Sequence, residues 1–268
     1  MAKRKAAIVL SIAGSDSGGG AGVQADIKTI TALGGYAASA ITAITAQNTQ
    51  GVLQVQMLPP ELVQAQIKAV LNDIGADIIK IGMLGNAAMV EAVAEILRAF
   101  DIPIVLDPVM VAKGGASLLD EGARDALVRE LLPVSRLLTP NVPEAEALSG
   151  QTIQNLSDQK RAAEVLLDMG PKAVLLKGGH LPGEIIHDVL VWEQGEAVFE
   201  SPRIITRHTH GTGCTLASAI ATWLALGLQL EEAVRLARRY VQKAIEHAPE
   251  LGAGHGPLGH GWTFQPPG

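Results

Sequence analysis

The sequence predicts one α/β domain: a mostly parallel sheet with helices on both faces and a small β-hairpin at its edge. Three observations predict it. Short apolar runs alternate with longer amphipathic runs along the chain. The short runs end on polar or glycine residues, at Gly14-Ser15-Asp16, Gln47-Asn48, Gly82-Met83, Asp107, Asn141 and Lys177-Gly178-Gly179. The carboxyl ends of strands are where open α/β sheets bind their ligands. Finally, the 268 residues are 48% hydrophobic but only 3% aromatic, so one large core of Ala, Val, Leu and Ile is expected. No linker, repeat or low-complexity segment divides residues 1–268.

Each element has its own signal. Ala6–Ala13 is a short apolar run and reads as the first buried strand. Ala21–Leu33 reads as a helix closed by Gly34-Gly35. Ala37–Ala46 is a strand rich in small residues. Pro60–Asn72 is a helix with proline at its start. Asp77–Ile81 is a strand, Ala87–Phe100 a helix, and Pro103–Leu106 a strand ending at Asp107-Pro108. Gly122–Leu132 is helical, and Arg136–Leu138 is a strand ending at Thr139-Pro140. Helices follow at Pro143–Leu148 and Ser157–Met169, then a strand at Ala173–Leu176. Asp188–Trp192 and Ala197–Glu200 flank Gln194-Gly195 as a hairpin. Thr212–Leu226 and Glu231–Ala248 are the closing helices.

Composition excludes several classes. The net charge is −6, and no basic patch or aromatic platform suits nucleic acid. Lys3-Arg4-Lys5 before an apolar run imitates a signal peptide. The run is short and meets a glycine-rich loop at once, so the basic residues read as a solvated tail. No stretch has the length and freedom from charge of a membrane span. Cys214 is the single cysteine, which rules out an intrachain disulfide and suits a reducing cytoplasm.

Two glycine-rich segments bear on phosphate chemistry. No lysine follows a glycine, which removes the Walker loop. Gly20-Ala21-Gly22-Val23-Gln24-Ala25 satisfies the dinucleotide pattern. The loop from Ala13 is too long for the tight turn, however, and the next strand ends on Gln47-Asn48 with no acid for a ribose. A flexible connection or a substrate loop remains. Gly211-Thr212-Gly213-Cys214 directly precedes an apolar helix. Free N–H groups and the helix dipole there favour an anion, and glycines let it approach. A thiol at that helix start is expected to have a lowered pKa. On residue type alone, packing explains Cys214 better than catalysis does. His208 and His210 lie on one side of an extended segment, but no third ligand at a telling spacing makes a zinc site.

The motifs together are specific. They are Ile12-Ala13-Gly14-Ser15-Asp16-Ser17-Gly18-Gly19-Gly20-Ala21-Gly22-Val23-Gln24-Ala25-Asp26, Thr45-Ala46-Gln47-Asn48-Thr49, Lys80-Ile81-Gly82-Met83-Leu84, Leu106-Asp107-Pro108-Val109-Met110, Thr139-Pro140-Asn141-Val142-Pro143-Glu144-Ala145-Glu146, Lys177-Gly178-Gly179-His180 and Thr209-His210-Gly211-Thr212-Gly213-Cys214-Thr215. In this order they resemble the ribokinase-like superfamily, and within it the hydroxymethylpyrimidine/phosphomethylpyrimidine kinases of thiamine biosynthesis. The resemblance implies a three-layer α/β/α sandwich, ATP and Mg²⁺ as cofactors, and a homodimer. It implies phosphoryl transfer to 4-amino-5-hydroxymethyl-2-methylpyrimidine and then to its monophosphate.

The same resemblance implies roles for residues. Cys214 stands where many ribokinase relatives carry an aspartate that serves as base, which implies Cys214 as the base here, and the amides of Gly211, Thr212, Gly213 and Cys214 form an anion hole. Asn141 and Glu144 match an N-x-x-E motif, with Glu144 reaching Mg²⁺ through water; a dipole-favoured acid at a helix start is the plainer reading. Asp107 serves as partner to the metal or to a lysine, or simply caps a turn. Lys177 contacts the nucleotide or its phosphates, or is solvated. Gln47 reads the aminopyrimidine with an amide that both donates and accepts, or is an ordinary loop residue. Gly14, Ala21 and Asp26 line the same pocket, with Met83 and Val109 as apolar walls; an acid in a first helix is ordinarily solvated, and Met83 suits plain core equally. The rival within the superfamily is a pyridoxal or pyridoxine kinase, and the rival outside catalysis is a pyrimidine sensor.

Overall fold

Strands with apolar residues on both faces need cover on both faces, and the chain supplies it. The structure, a computed structural model, describes residues 6–110 and 121–264. Its strands are β1 (Ile8–Asp16), β2 (Tyr36–Asn48), β3 (Gly51–Met57), β4 (Ile78–Ile81), β5 (Ile104–Leu106), β6 (Leu137–Leu138), β7 (Ala173–Leu176), β8 (Ile185–Trp192) and β9 (Gly195–Pro202). Its helices are α1 (Gly22–Ala32), α2 (Pro60–Asp73), α3 (Ala87–Leu97), α4 (Glu121–Glu130), α5 (Val142–Ser149), α6 (Leu156–Asp168), α7 (Thr212–Ala225) and α8 (Leu230–Glu246). The strands form one sheet in the order β3-β2-β1-β4-β5-β6-β7-β8-β9. Pairings from β2 through β1 to β7 are parallel, while β3, β8 and β9 pair antiparallel.

Alternate strand residues enter opposite cores. Leu10, Ile12, Ile79 and Ile81 pack with α2 to α6. Val9, Ile78 and Val105 pack with α1, α7 and α8. The expected sandwich is therefore present. Every expected strand and helix forms, with differences at the ends. β1 runs on to Asp16, and β8 starts at Ile185 rather than Asp188. The strand β3 was not expected. Most of its residues are exposed, Leu53 at 79%, so it lacks the buried alternation that marks a strand in sequence. The basic residues Lys3-Arg4-Lys5 lie outside the described residues.

Helix α7 is buried from Thr215 to Thr222, as an all-round apolar helix must be. It packs against β1, β4 and β5. This sets its N-terminus among the carboxyl ends of the central strands.

Candidate active site

The sequence puts a glycine at the cap of α7, and the backbone there uses it. Gly211 has φ of +83°, a left-handed conformation that costs other residues about 1–2 kcal/mol. A Cβ on Gly211 would also overlap the carbonyl oxygen of Gly20. The start of α7 and the N-terminal glycine loop are thus in backbone contact. Thr212 occupies the first helical position, and its hydroxyl donates to the Thr209 carbonyl at 2.7 Å. The Thr212 N–H donates to the same carbonyl at 3.3 Å, which leaves the N–H groups of Gly213 and Cys214 for another acceptor.

Acid and base groups converge on this turn. A Cβ on Gly213 would lie 3.3 Å from Lys177 Nζ and 3.5 Å from Asp107 Oδ2. Lys177, just after β7, donates to Asp107 Oδ1 at 2.9 Å, and the Thr139 hydroxyl donates to the same oxygen at 3.1 Å. Burial opposes charge on Lys177, but Asp107 and Glu144 outweigh it and raise its pKa. Asp107 is therefore a lysine partner.

Asn141 and Glu144 form a capping box at the start of α5. Asn141 Oδ1 accepts from the Glu144 N–H at 3.0 Å, and Glu144 Oε2 accepts from the Asn141 N–H at 2.8 Å. Burial first, then Asp107, pushes the Glu144 carboxyl up to about 7 against the pull of Lys177. Among the described residues, the Asp107 and Glu144 carboxyls here face one ammonium, that of Lys177. That surplus fits a hard cation with oxygen ligands, which would relieve it.

Cys214 departs from expectation. It keeps partial exposure, yet burial pushes its thiol up to about 11, despite the opposing pull of Lys80 and the Gly22 N–H. The helix start alone predicted a lowered value; desolvation overrides it.

Asp26 departs too. It is fully buried, not solvated, and its carboxylate accepts from Ser11 Oγ at 2.6 Å, Ser218 Oγ at 2.7 Å and Lys80 Nζ at 2.9 Å. The carboxylate is a counter-charge beneath the site rather than an open pocket wall. Burial resists the charge on Lys80, and Asp26 overcomes it and raises the pKa further. Breaking such a buried pair by removing one partner costs about 3–5 kcal/mol.

The other residues expected to line a pocket lie at or just after strand ends, or, for Ala21, at the cap of α1. A Cβ on Gly14 would lie 3.1 Å from Met83 Sδ, and Met83 is largely buried. Ala21 caps α1 and donates its N–H to Asp16 Oδ2 at 2.9 Å. Gln47 is half-buried near the end of β2. Val109 is half-buried, with its N–H donating to the Asp107 carbonyl at 2.8 Å.

Sequence reasoning missed three residues of this region. Lys80 interrupts Ile78-Ile79-Lys80-Ile81, and a charge in a fully buried strand was a readable signal. Asp16 accepts three loop N–H groups, from Gly18, Gly20 and Ala21. His210, part of the glycine-turn motif and weighed by itself as a metal ligand, pairs with Asp16 at 2.8 Å. No local pattern announces a partner 194 residues away. The C-terminal tail also gains a place: the Gly256 carbonyl accepts from the His210 N–H at 3.1 Å, and His260 bonds Thr215 of α7.

Comparison with known proteins accords with this arrangement. A bifunctional thiamine biosynthesis protein of Geobacter sulfurreducens is 51% identical over 94% of this chain, which spans 52% of that protein. A hydroxymethylpyrimidine/phosphomethylpyrimidine kinase of Streptomyces coelicolor is 49% identical, covering 96% of this chain and 95% of its own. Among solved structures, a phosphomethylpyrimidine kinase of Clostridium difficile is 44% identical with a TM-score of 0.80, over 89% of this chain and 99% of that one. A Staphylococcus aureus pyridoxal kinase with AMP-PCP and pyridoxal is 34% identical with a TM-score of 0.90, over 98% of this chain and 96% of that one. The family model for phosphomethylpyrimidine kinase matches residues 16–259. That span runs from Asp16 through the Gly211 turn to the tail, and the chain belongs to the phosphomethylpyrimidine kinase family.

Proposed function

We propose that this chain is an ATP-dependent kinase that phosphorylates 4-amino-5-hydroxymethyl-2-methylpyrimidine and then its monophosphate. The observation that carries the reading is the start of α7, where the Gly213 backbone, its N–H without a backbone partner, lies beside Lys177 and Asp107. Phosphoryl transfer is mostly positioning and charge stabilisation, and this turn supplies both. The amides of Gly211, Thr212, Gly213 and Cys214 hold the γ-phosphoryl oxygens, and Lys177 adds a positive charge held in place by Asp107. Glu144 and Asp107 would hold Mg²⁺, Glu144 through water, where the ion neutralises phosphate charge.

In the first transfer, Cys214 in its thiolate form takes the proton of the hydroxymethyl group onto Sγ. The oxygen then bonds to the γ-phosphorus as the bond to ADP breaks. In the second, a phosphate oxygen of the monophosphate attacks. Its second pKa is about 6, so that oxygen is already ionised at neutral pH and needs no base. Gln47 reads the amine and ring nitrogen, with Gly14, Ala21, Met83 and Val109 around the ring. Asp26 acts from below through Lys80.

The same reading takes the enzyme as a cytoplasmic homodimer. Exposed Leu53 and Val55, on one face of β3, suit cover by a second copy, and the single cysteine suits a reducing compartment. No helix among the described residues is long and apolar enough to cross a membrane.

The high structural likeness to pyridoxal kinase makes the choice of acceptor the sharp test. With ATP and Mg²⁺, kcat/KM for the aminopyrimidine alcohol is expected to exceed that for pyridoxal by about 10-fold or more, the discrimination expected when a site hydrogen-bonds a group its competitor lacks. A preference for pyridoxal would overturn the assignment.

A further inference from the structure

The amide of Gln47 has two ends of nearly identical shape, and hydrogen bonding decides which is which. One end lies 3.3 Å from His210 Nε2, and the other lies 3.2 Å from Thr45 Oγ1. Each neighbour has its own prior commitment.

His210 Nε2 lies 2.8 Å from Asp16 Oδ2. Burial raises the Asp16 pKa, but His210 and the N–H groups of Ala21 and Gly18 lower it by more. Asp16 is a carboxylate that only accepts, so His210 Nε2 carries a hydrogen whether the ring is neutral or charged. Thr45 has one hydroxyl hydrogen, and its Oγ1 lies 2.9 Å from the Ser15 carbonyl, which also only accepts. Toward Gln47, then, His210 presents the side of an N–H already directed at Asp16, which a second acceptor can share only as a three-centre bond, and Thr45 presents an acceptor.

With the amide nitrogen beside His210, two donors meet and two acceptors meet. Turning the amide by 180° satisfies both contacts. The Gln47 carbonyl then shares the His210 Nε2–H with Asp16 in a three-centre bond, as its longer arm, and its NH₂ donates to Thr45 Oγ1. Each end keeps one free valence. The carbonyl end has a lone pair for an exocyclic amine, and the NH₂ end has a hydrogen for a ring nitrogen. That is the order an aminopyrimidine edge requires.

We propose that His210, held by Asp16, is a positioning residue that fixes the Gln47 amide with its carbonyl toward His210, and so selects an aminopyrimidine over a ring without the amine. The inference rests on the reading of Gln47 as the contact to the pyrimidine. His210 immediately precedes Gly211, so the residue that sets acceptor choice is joined covalently to the anion turn.

The test measures KM and kcat of the full chain with the aminopyrimidine alcohol and with pyridoxal. His210→Leu is expected to raise KM for the aminopyrimidine about 10- to 30-fold, the effect of one misplaced buried hydrogen bond. Its kcat at saturation, and KM for pyridoxal, should move less than about 3-fold. His210→Gln, which can restore a donor near the same place, should recover most of the loss. In a Gln47→Ala background, His210→Leu should change the acceptor preference no further. Equal losses with both acceptors, or an undiminished effect in the Gln47→Ala background, would overturn the proposal and leave His210 a loop-packing residue. Gln47→Ala alone separates the layers: an unchanged aminopyrimidine KM refutes the Gln47 reading and this inference with it. A raised KM there, with His210→Leu silent, refutes the inference alone. Should His210→Leu fail to fold, Thr45→Val tests the other end of the amide. A raised aminopyrimidine KM with pyridoxal unmoved supports the proposal, and an unchanged KM overturns it.

Discussion

Cys214→Ala is expected to slow transfer to the pyrimidine alcohol by about 10²–10⁴-fold, the usual contribution of a positioned general base. Transfer to the monophosphate should fall by less than about 10-fold, because its attacking oxygen is already ionised near neutral pH. The raised thiol pKa adds a second signature. Only a thiolate accepts the proton, and with a pKa of about 11 it is a rare form at neutral pH. The first transfer should therefore climb as pH rises from 7 toward that value. The second should lack this climb, and Cys214→Ala should abolish it in the first. Steady-state rates for the two acceptors between about pH 8 and 9.5, above the ionisation of Glu144 and of the monophosphate, measure both effects. Equal losses in both transfers would mean that Cys214 packs the helix start or only lends its amide.

Gly211→Ala should damage both transfers alike. The position has φ of +83°, and the added Cβ would overlap the Gly20 carbonyl, which is backbone and cannot rotate away. Relief requires the start of α7 to part from the N-terminal glycine loop, so the anion turn and the substrate loop both lose register. Loss of one preorganised donor at such a hole costs about 10²–10³-fold in kcat, and disturbing several should cost at least that in each transfer. Thermal unfolding should fall as well, since the strain persists without ligand. A folded variant with normal rates on both acceptors would show that this turn does not hold the phosphoryl group. The two substitutions thus separate the roles within one turn: Gly211 serves both steps, and Cys214 serves one.

The parts of the site that were legible in sequence share a cause. Asp107, Asn141 and Lys177 each follow a short apolar run, and the parallel sheet delivers such residues to one edge. The Gly211 turn was legible because an apolar helix follows it. The illegible parts depend on distant partners or on depth. Asp26 reads as a surface acid until Lys80 and Ser218 arrive from 54 and 192 residues away. The thiol of Cys214 reads as acidic from its helix start, and only the packed surroundings reverse the direction. β3 was missed for the opposite reason: it is so exposed that burial leaves no pattern. The zinc question raised by His208 and His210 likewise looked only at neighbours in sequence, while the Asp16 pairing lies across the fold.

The most direct test of the whole account is the number of ADP molecules released per acceptor consumed, run to completion with excess ATP and Mg²⁺. If one site performs both transfers, the pyrimidine alcohol yields two equivalents of ADP and its monophosphate yields one. One equivalent from the alcohol and none from the monophosphate would contradict the account, as would release with pyridoxal alone.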